Sequence, residues 1–191
     1  MTPRELALVP VAVALNVAMG VVVAQLGLPV YLDTLGTVLA VSLAGLRCGL
    51  IVGAVSQVIA ALNVGAFMLL FMPIQALVAV GALLACRAGG LQSLPKSLAW
   101  GAAIGLVGGA ASAGISYVVF KGVTAIGVTA VVSALRAIGL PLAWAVTGAS
   151  MSTDLIDKLL VLPVAGTALR ALPLRLRYRF PLVQRATGLT G

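Results

Sequence analysis

Long apolar runs separated by short polar breaks make up most of the chain. The first run extends from about Glu5 to Leu26 and carries one amide at mid-depth, Asn16. A tight Gly27-Leu-Pro-Val turn leads into a second run, Tyr31 to Leu46, closed by Arg47. The third, Gly49 to Asn63, is short for a crossing, and only Asn63-Val-Gly65 divides it from the fourth, Phe67 to Cys86. The polar loop Arg87-Ala-Gly-Gly-Leu-Gln-Ser-Leu-Pro-Lys96 precedes the fifth run, Ser97 to Phe120, and the last run lies between Pro141 and Arg170. At about 1.5 Å rise per residue the last run alone reaches roughly 45 Å, more than a hydrocarbon core of about 30 Å. The pattern predicts an all-α integral membrane protein: a six-transmembrane-helix bundle with spans at about 5–26, 31–46, 49–63, 67–86, 97–120 and 141–170. No repeat of 20–50 residues is evident.

Residues 122–139 are apolar enough to be a seventh span, yet they are rich in glycine and β-branched residues and contain Arg136. Charge decides between the counts, because basic residues collect on the cytoplasmic side of a membrane. With six spans, Arg4, Arg47, Arg87, Lys96, Arg170, Arg175, Arg177, Arg179 and Arg185 share one side, against Lys121 and Arg136 on the other. A seventh span would send the arginine-rich end outside. The expectation is therefore two cytoplasmic termini, a basic cytoplasmic tail at 171–191, and an outer loop or lid at 122–139 lying over the mouth of the bundle.

Composition agrees. The chain is 62% hydrophobic and 8% charged, with mean hydropathy +1.20, whereas soluble domains carry roughly a quarter charged residues. One membrane domain fits the length of 191 residues. The net charge of +8 would suggest nucleic acid in a soluble protein, but here the basic residues mark topology, and no nucleic-acid partner is expected. No secretory cleavage pattern precedes the first run, so it is expected to stay as a signal anchor. Cys48 and Cys86 lie beside Arg47 and Arg87 on the cytoplasmic side, where both should be reduced.

Candidate chemistry is sparse. There is no histidine, and the only acids are Glu5, Asp33, Asp154 and Asp157. No metal cluster, Ser–His or Cys–His pair, or phosphate loop can be assembled; neither catalysis nor a cofactor is expected, and any ATP must be bound by another subunit. The last run is unusual in carrying Asp154, Asp157 and Lys158, which are costly against lipid and must face protein, water or a ligand. The acid-before-lysine order four apart favours an Asp154–Lys158 ion pair, with Asp157 bonded to a neighbouring helix. That still leaves one carboxylate in excess, which a cationic or hydrogen-bond-donating ligand would satisfy.

Other polar positions have two readings each. In Tyr31-Leu-Asp33-Thr34-Leu-Gly36-Thr37, Asp33 either caps a helix N-terminus or stands with Tyr31 and Thr34 at the rim of an outward-facing pocket. Asn63 and Gln75 fall in the outer half of the bundle, Asn16 and Gln57 nearer the middle, as helix-to-helix bonds or ligand contacts. Trp144 is near the outer interface, on the run that carries the acids. Small residues four apart, Gly101, Gly105, Gly109 and Ala113, predict close helix packing. The stripe Ala7, Ala14 and Ala18 is either internal or a flat face for a second membrane protein.

These runs, the alanine stripe, Tyr31-Leu-Asp33-Thr34-Leu-Gly36-Thr37, and Asp154-Leu-Ile-Asp157-Lys158 before Leu172-Pro173-Leu-Arg-Leu-Arg resemble the S components of energy-coupling factor (ECF) transporters. The resemblance covers nearly the whole chain through short, degenerate motifs. It implies a substrate-binding subunit in a prokaryotic cytoplasmic membrane that captures a vitamin or precursor from outside. A transmembrane T component and two ATP-binding cassette subunits would be its partners, with Ala14 and Ala18 matching the family's docking stripe. The first outer loop is shorter than the family's gating loops, which shifts gating to 122–139. Together with the residue readings, it makes Tyr31, Asp33, Asn63, Gln75, Trp144, Asp154, Asp157 and Lys158 the candidate substrate-binding set. The excess of acid leans toward a small cationic or amine-bearing ring compound. The alternative is a self-sufficient ion-coupled transporter or channel for a small cationic or amine solute, with Asp154 and Asp157 as coupling site.

Overall fold

The computed structural model describes residues 3–120 and 126–189, and all regular structure among them is helical. The first run forms α1 (Pro3–Gln25). Then come α2 (Leu35–Ala44), α3 (Leu46–Val64) and a 3-10 turn (Ala66–Phe71) that runs directly into α4 (Met72–Arg87). The long helices α5 (Leu94–Phe120) and α7 (Leu142–Ala171) flank the short α6 (Ile126–Ala137), and α8 (Leu174–Arg177) and α9 (Pro181–Thr187) end the chain. Four stretches are long and apolar enough to cross a membrane: Ala7–Gln25, Leu46–Val64, Ala66–Arg87 and Leu94–Val119. The protein is a helical membrane protein. α7 has the length, at 30 residues, but three of its residues are charged near the middle.

The second run departs from expectation. α2 has 10 residues, about 15 Å, half of a hydrocarbon core. A helix cannot start at Tyr31, because Leu32 takes a left-handed conformation with φ 51, which a helix interior excludes. The break before α3 falls at Gly45, φ 88, so Arg47 and Cys48 lie in the first turn of α3, not ahead of it. Asn63-Val-Gly65 does end α3, with Gly65 at φ 144.

The most extensively packed helix pair is α5 with α7. A Cβ on Gly101 would stand 2.5 Å from the Lys158 carbonyl oxygen, one on Gly105 2.8 Å from that of Asp154, and one on Gly109 2.7 Å from Met151 Cα. Only glycine permits this approach, the packing that the four-residue spacing predicts. α1 packs on α2 and α3 through Ala12, Val13, Ala40, Cys48 and Val52. Cys48 and Cys86 are free and buried.

The segment expected as a basic tail is folded. Val183 and Ala186 of α9 are fully buried in one cluster with Val41, Cys86, Leu162 and Leu169. The Leu91 N–H donates to the Ala186 carbonyl at 3.1 Å, and Arg170 Nη1 donates to the Leu91 carbonyl at 2.6 Å. α9, the 88–93 turn, the ends of α2, α4 and α7 and the start of α5 thus share one end of the bundle. At the opposite end, Val128 and Val132 of α6 pack on Ala145, Val146 and Ala149 in the first turns of α7. The expected lid at 122–139 is, over its described part, this packed helix; 122–125 and Lys121 lie outside the described residues, as do the side chains of Arg4 and Glu5.

Candidate functional site

α7 carries a polar stripe through the middle of the bundle. Ser150, Thr153, Asp154 and Asp157 recur at helical spacing, so they line one face over about 10 Å, and all four are buried, as is Lys158. Asp157 is the best satisfied. Its Oδ1 accepts the backbone N–H groups of Tyr31 (3.2 Å) and Leu32 (2.6 Å), and its Oδ2 pairs with Lys158 Nζ. Two successive N–H groups converging on one carboxylate need an irregular backbone, which the left-handed Leu32 supplies. The loop before α2 therefore reaches in to the level of α7's middle. Lys158 Nζ also donates to Thr34 Oγ1 at 3.0 Å.

The expected ion pair is thus corrected: Lys158 pairs with its neighbour Asp157, not with Asp154. The long lysine stem turns toward the loop, where Thr34 and Asp157 both face it. Asp33 does not cap α2 either. Thr34 holds the cap position, without a side-chain cap bond, and Asp33 Oδ2 accepts from Gln75 Nε2 at 3.4 Å.

From Gln75 the network crosses four helices. Gln75 Oε1 accepts from Thr37 Oγ1 at 3.3 Å, and Gln75 Nε2 reaches Gln57 Oε1 at 3.5 Å. Gln57 Nε2 donates to the Met68 carbonyl at 2.6 Å, which ties the 3-10 turn to α3. Asn16 Nδ2 donates to Thr37 Oγ1 (2.9 Å) and Ser56 Oγ (3.1 Å), and its Oδ1 accepts the Gly36 N–H at 2.7 Å. Asn16 and Gln57 are thereby helix-to-helix ties.

A different condition holds one turn earlier on α7. Ser150 Oγ, Thr153 Oγ1 and Asp154 Oδ2 are buried and, among the described residues, have no hydrogen-bond partner. The Asp154 carboxyl has one protein bond, from Ser112 on α5. Buried polar groups are nearly always paired, and each orphan costs about 1–3 kcal/mol. Around this patch are Gly108 and Gly109 of α5, whose added Cβ atoms would lie 3.8 Å and 3.3 Å from Asp154 side-chain atoms. Tyr31 joins the Val128–Val132–Val146 cluster, so the loop before α2 and α6 cover the end of the patch away from α9.

Three comparisons were made, with protein-family models, curated proteins and solved structures. None matches this chain. The site therefore stands on its geometry. Of the expected substrate-binding set, Tyr31, Asp33, Gln75, Asp154, Asp157 and Lys158 come together. Two do not. Asn63 is exposed and donates to the Ile59 carbonyl of its own helix at 2.8 Å, and Trp144 is 69% exposed on the outer surface of α7. Both lie on the wrong helical face, which residue type and depth alone do not reveal. Ala14 and Ala18 are exposed beside Val11, which is 70% exposed, so their stripe is external.

Ser150, Thr153 and Ser112 were missed as site residues, since small hydroxyls in apolar helices commonly bond back to their own carbonyls. Their signal was position: Ser150 and Thr153 share the helical face of Asp154 and Asp157.

Proposed function

We propose that the chain is the substrate-capture subunit of an ECF-type importer, binding a small water-soluble vitamin-like compound and passing it to a T component driven by two ATPases. The observation that carries the reading is the buried charged centre, Asp157 with Lys158 and Asp154 beside it, held midway along a helix in an otherwise apolar bundle. Intramembrane ionisable groups are expensive and mark solute paths or binding sites. The resemblance of the Tyr31–Thr37 and Asp154–Lys158 segments to S components points the same way, and the external Ala14–Ala18 stripe supplies a smooth face for a membrane partner.

On this reading the bundle crosses the membrane six times, with α2 and the loop before it together making one broken crossing. Irregular backbone at that depth is tolerated because it is buried in protein. The termini and the basic end formed by Arg47, Arg87, Lys96, Arg170 and Arg185 face the cytoplasm of a prokaryotic cell. The site opens outward, and α6 with the Tyr31 loop gates it. The chain performs no catalysis and binds no ATP itself.

The test is accumulation, in whole cells, of the compound that co-purifies with the chain. Accumulation should require co-expression of a T component and both ATPases, and should fall at least tenfold in the double variant Ala14→Leu/Ala18→Leu without loss of the folded chain. Flux that persists without those subunits, driven by a proton or sodium gradient in liposomes holding this chain alone, would overturn it in favour of a self-sufficient transporter.

A further inference from the structure

We infer that Asp154, Ser150, Thr153 and Ser112 form the recognition set for a ligand bearing a protonated or strongly donating nitrogen, such as an amidine, an aminated heteroaromatic ring or a primary amine. The inference rests on the solute-capture reading above and specifies the chemistry of that site.

Valence is the first argument. Within the central network, Asp157 has two backbone donors and an ammonium, Lys158 has Asp157 and Thr34, and Asn16 is bonded through both ends of its amide. Among the described residues, three of the four buried unfilled valences collect on one short stretch, Ser150 Oγ, Thr153 Oγ1 and Asp154 Oδ2, each on a residue at most 2% exposed; the fourth, Arg177 Nε, lies at the basic end. A carboxylate oxygen accepts and never donates while ionised, and hydroxyls do either. A ligand that donates to Asp154 and exchanges one bond with each hydroxyl fills all three.

Charge is the second. Asp33, Asp154 and Asp157 surround a single ammonium, Lys158, the only base in the buried interior among the described residues. That ammonium is committed to Asp157 and Thr34, so Asp154 has no cation of its own, and an ionised carboxylate is not kept in a dry interior without one. An anionic ligand would add a further negative charge; a cation removes one. The three carboxylates do not converge as a metal-holding group among the described residues. The walls agree in shape. A Cβ added to Gly108 of α5 would still stand 3.8 Å from Asp154 Oδ1, and the aromatic Tyr31 closes the outer side, where a flat cationic ring can lie against a π face.

The test uses the full chain purified in detergent, with benzamidine, 4-aminopyridine and benzylamine as cationic probes and benzoate as the matched anion. At millimolar concentration at least one cationic probe should raise the thermal unfolding midpoint, and benzoate should not. Asp154→Asn should weaken that probe about 10- to 100-fold, while Asp33→Asn changes it less. Asp154→Asn is isosteric and its amide oxygen can still accept from Ser112, so the variant should fold. If it does not, Ser150→Ala/Thr153→Val supplies the same comparison with a smaller loss. Stabilisation by benzoate as strong as by the cations, failure of all three cations, or full binding by both variants overturns the inference. The two proposals fail separately. ATPase-dependent uptake with no cation binding refutes the ligand class alone. Gradient-driven flux with Asp154-dependent amine binding refutes the importer alone.

Discussion

At the residue scale the governing fact is that Asp157 and Lys158 neutralise each other in the buried interior of the bundle. Removing one partner of a buried pair strands the other, at about 3–5 kcal/mol. Lys158→Met should therefore lower the thermal unfolding midpoint in detergent markedly, because it leaves Asp157, fully buried, without its ion-pair partner. Adding Asp157→Asn should recover much of that loss, since an Asn oxygen still accepts the Tyr31 and Leu32 N–H groups. A single variant as stable as the parent, or a double variant no better than the single, would show that the pair does not hold the centre together. The sequence announced these charges and the need to hide them. It could not announce the pairing, because Asp154 and Asp157 are both within lysine's reach and the choice is made by a loop more than a hundred residues away. Nor could it separate Gln75, buried at the hub, from Asn63, a similar amide turned outward.

At the element scale, α5 and α7 form the rigid wall on which the site is built, and glycine sets their separation. Gly105→Ala should push a methyl into the Asp154 carbonyl and Leu155 Cα, both 2.8 Å from the added carbon. Backbone cannot swing aside as a side chain does, so a loss of about 1–3 kcal/mol is expected. Gly114, on the same helix, has nothing within 4 Å, and Gly114→Ala should be neutral or gain about 0.5–1 kcal/mol from helix propensity. Equal midpoints for the two variants in thermal unfolding would refute the close contact. This wall was legible from the four-residue glycine spacing. The short α2 was not, since Tyr31 to Leu46 is mostly apolar, with Asp33 its one charge, and helix-like in pattern. What breaks it is the left-handed Leu32, stabilised by bonds to Asp157 that no local pattern encodes. The folded C-terminal segment was hidden likewise: its arginines dominate the composition, while only Val183 and Ala186 reach the core.

At the scale of the whole molecule, the bundle has, among the described residues, one basic end and one nearly uncharged end, and this polarity makes orientation testable without knowing the solute. Arg87, Lys96, Arg170 and Arg185 gather around the 88–93 turn, whereas Arg136 lies at the end of α6, bonded to the Leu140 carbonyl at 3.3 Å. Crossing a membrane with the basic end leading is opposed by the bias that keeps Lys and Arg cytoplasmic, so α6 should face outward. Cys48 and Cys86 are both buried, which gives a quiet background for thiol labelling. In intact cells a membrane-impermeant maleimide should label Ile138→Cys, a position 72% exposed just after α6, and should spare Arg185→Cys until the membrane is opened. The reverse pattern would place the α6 side of the site in the cytoplasm, and with it any solute would have to be captured from within. Labelling of both positions in intact cells would place them on one side with an even number of crossings between them, so α7 with its charged centre would not traverse the bilayer at all.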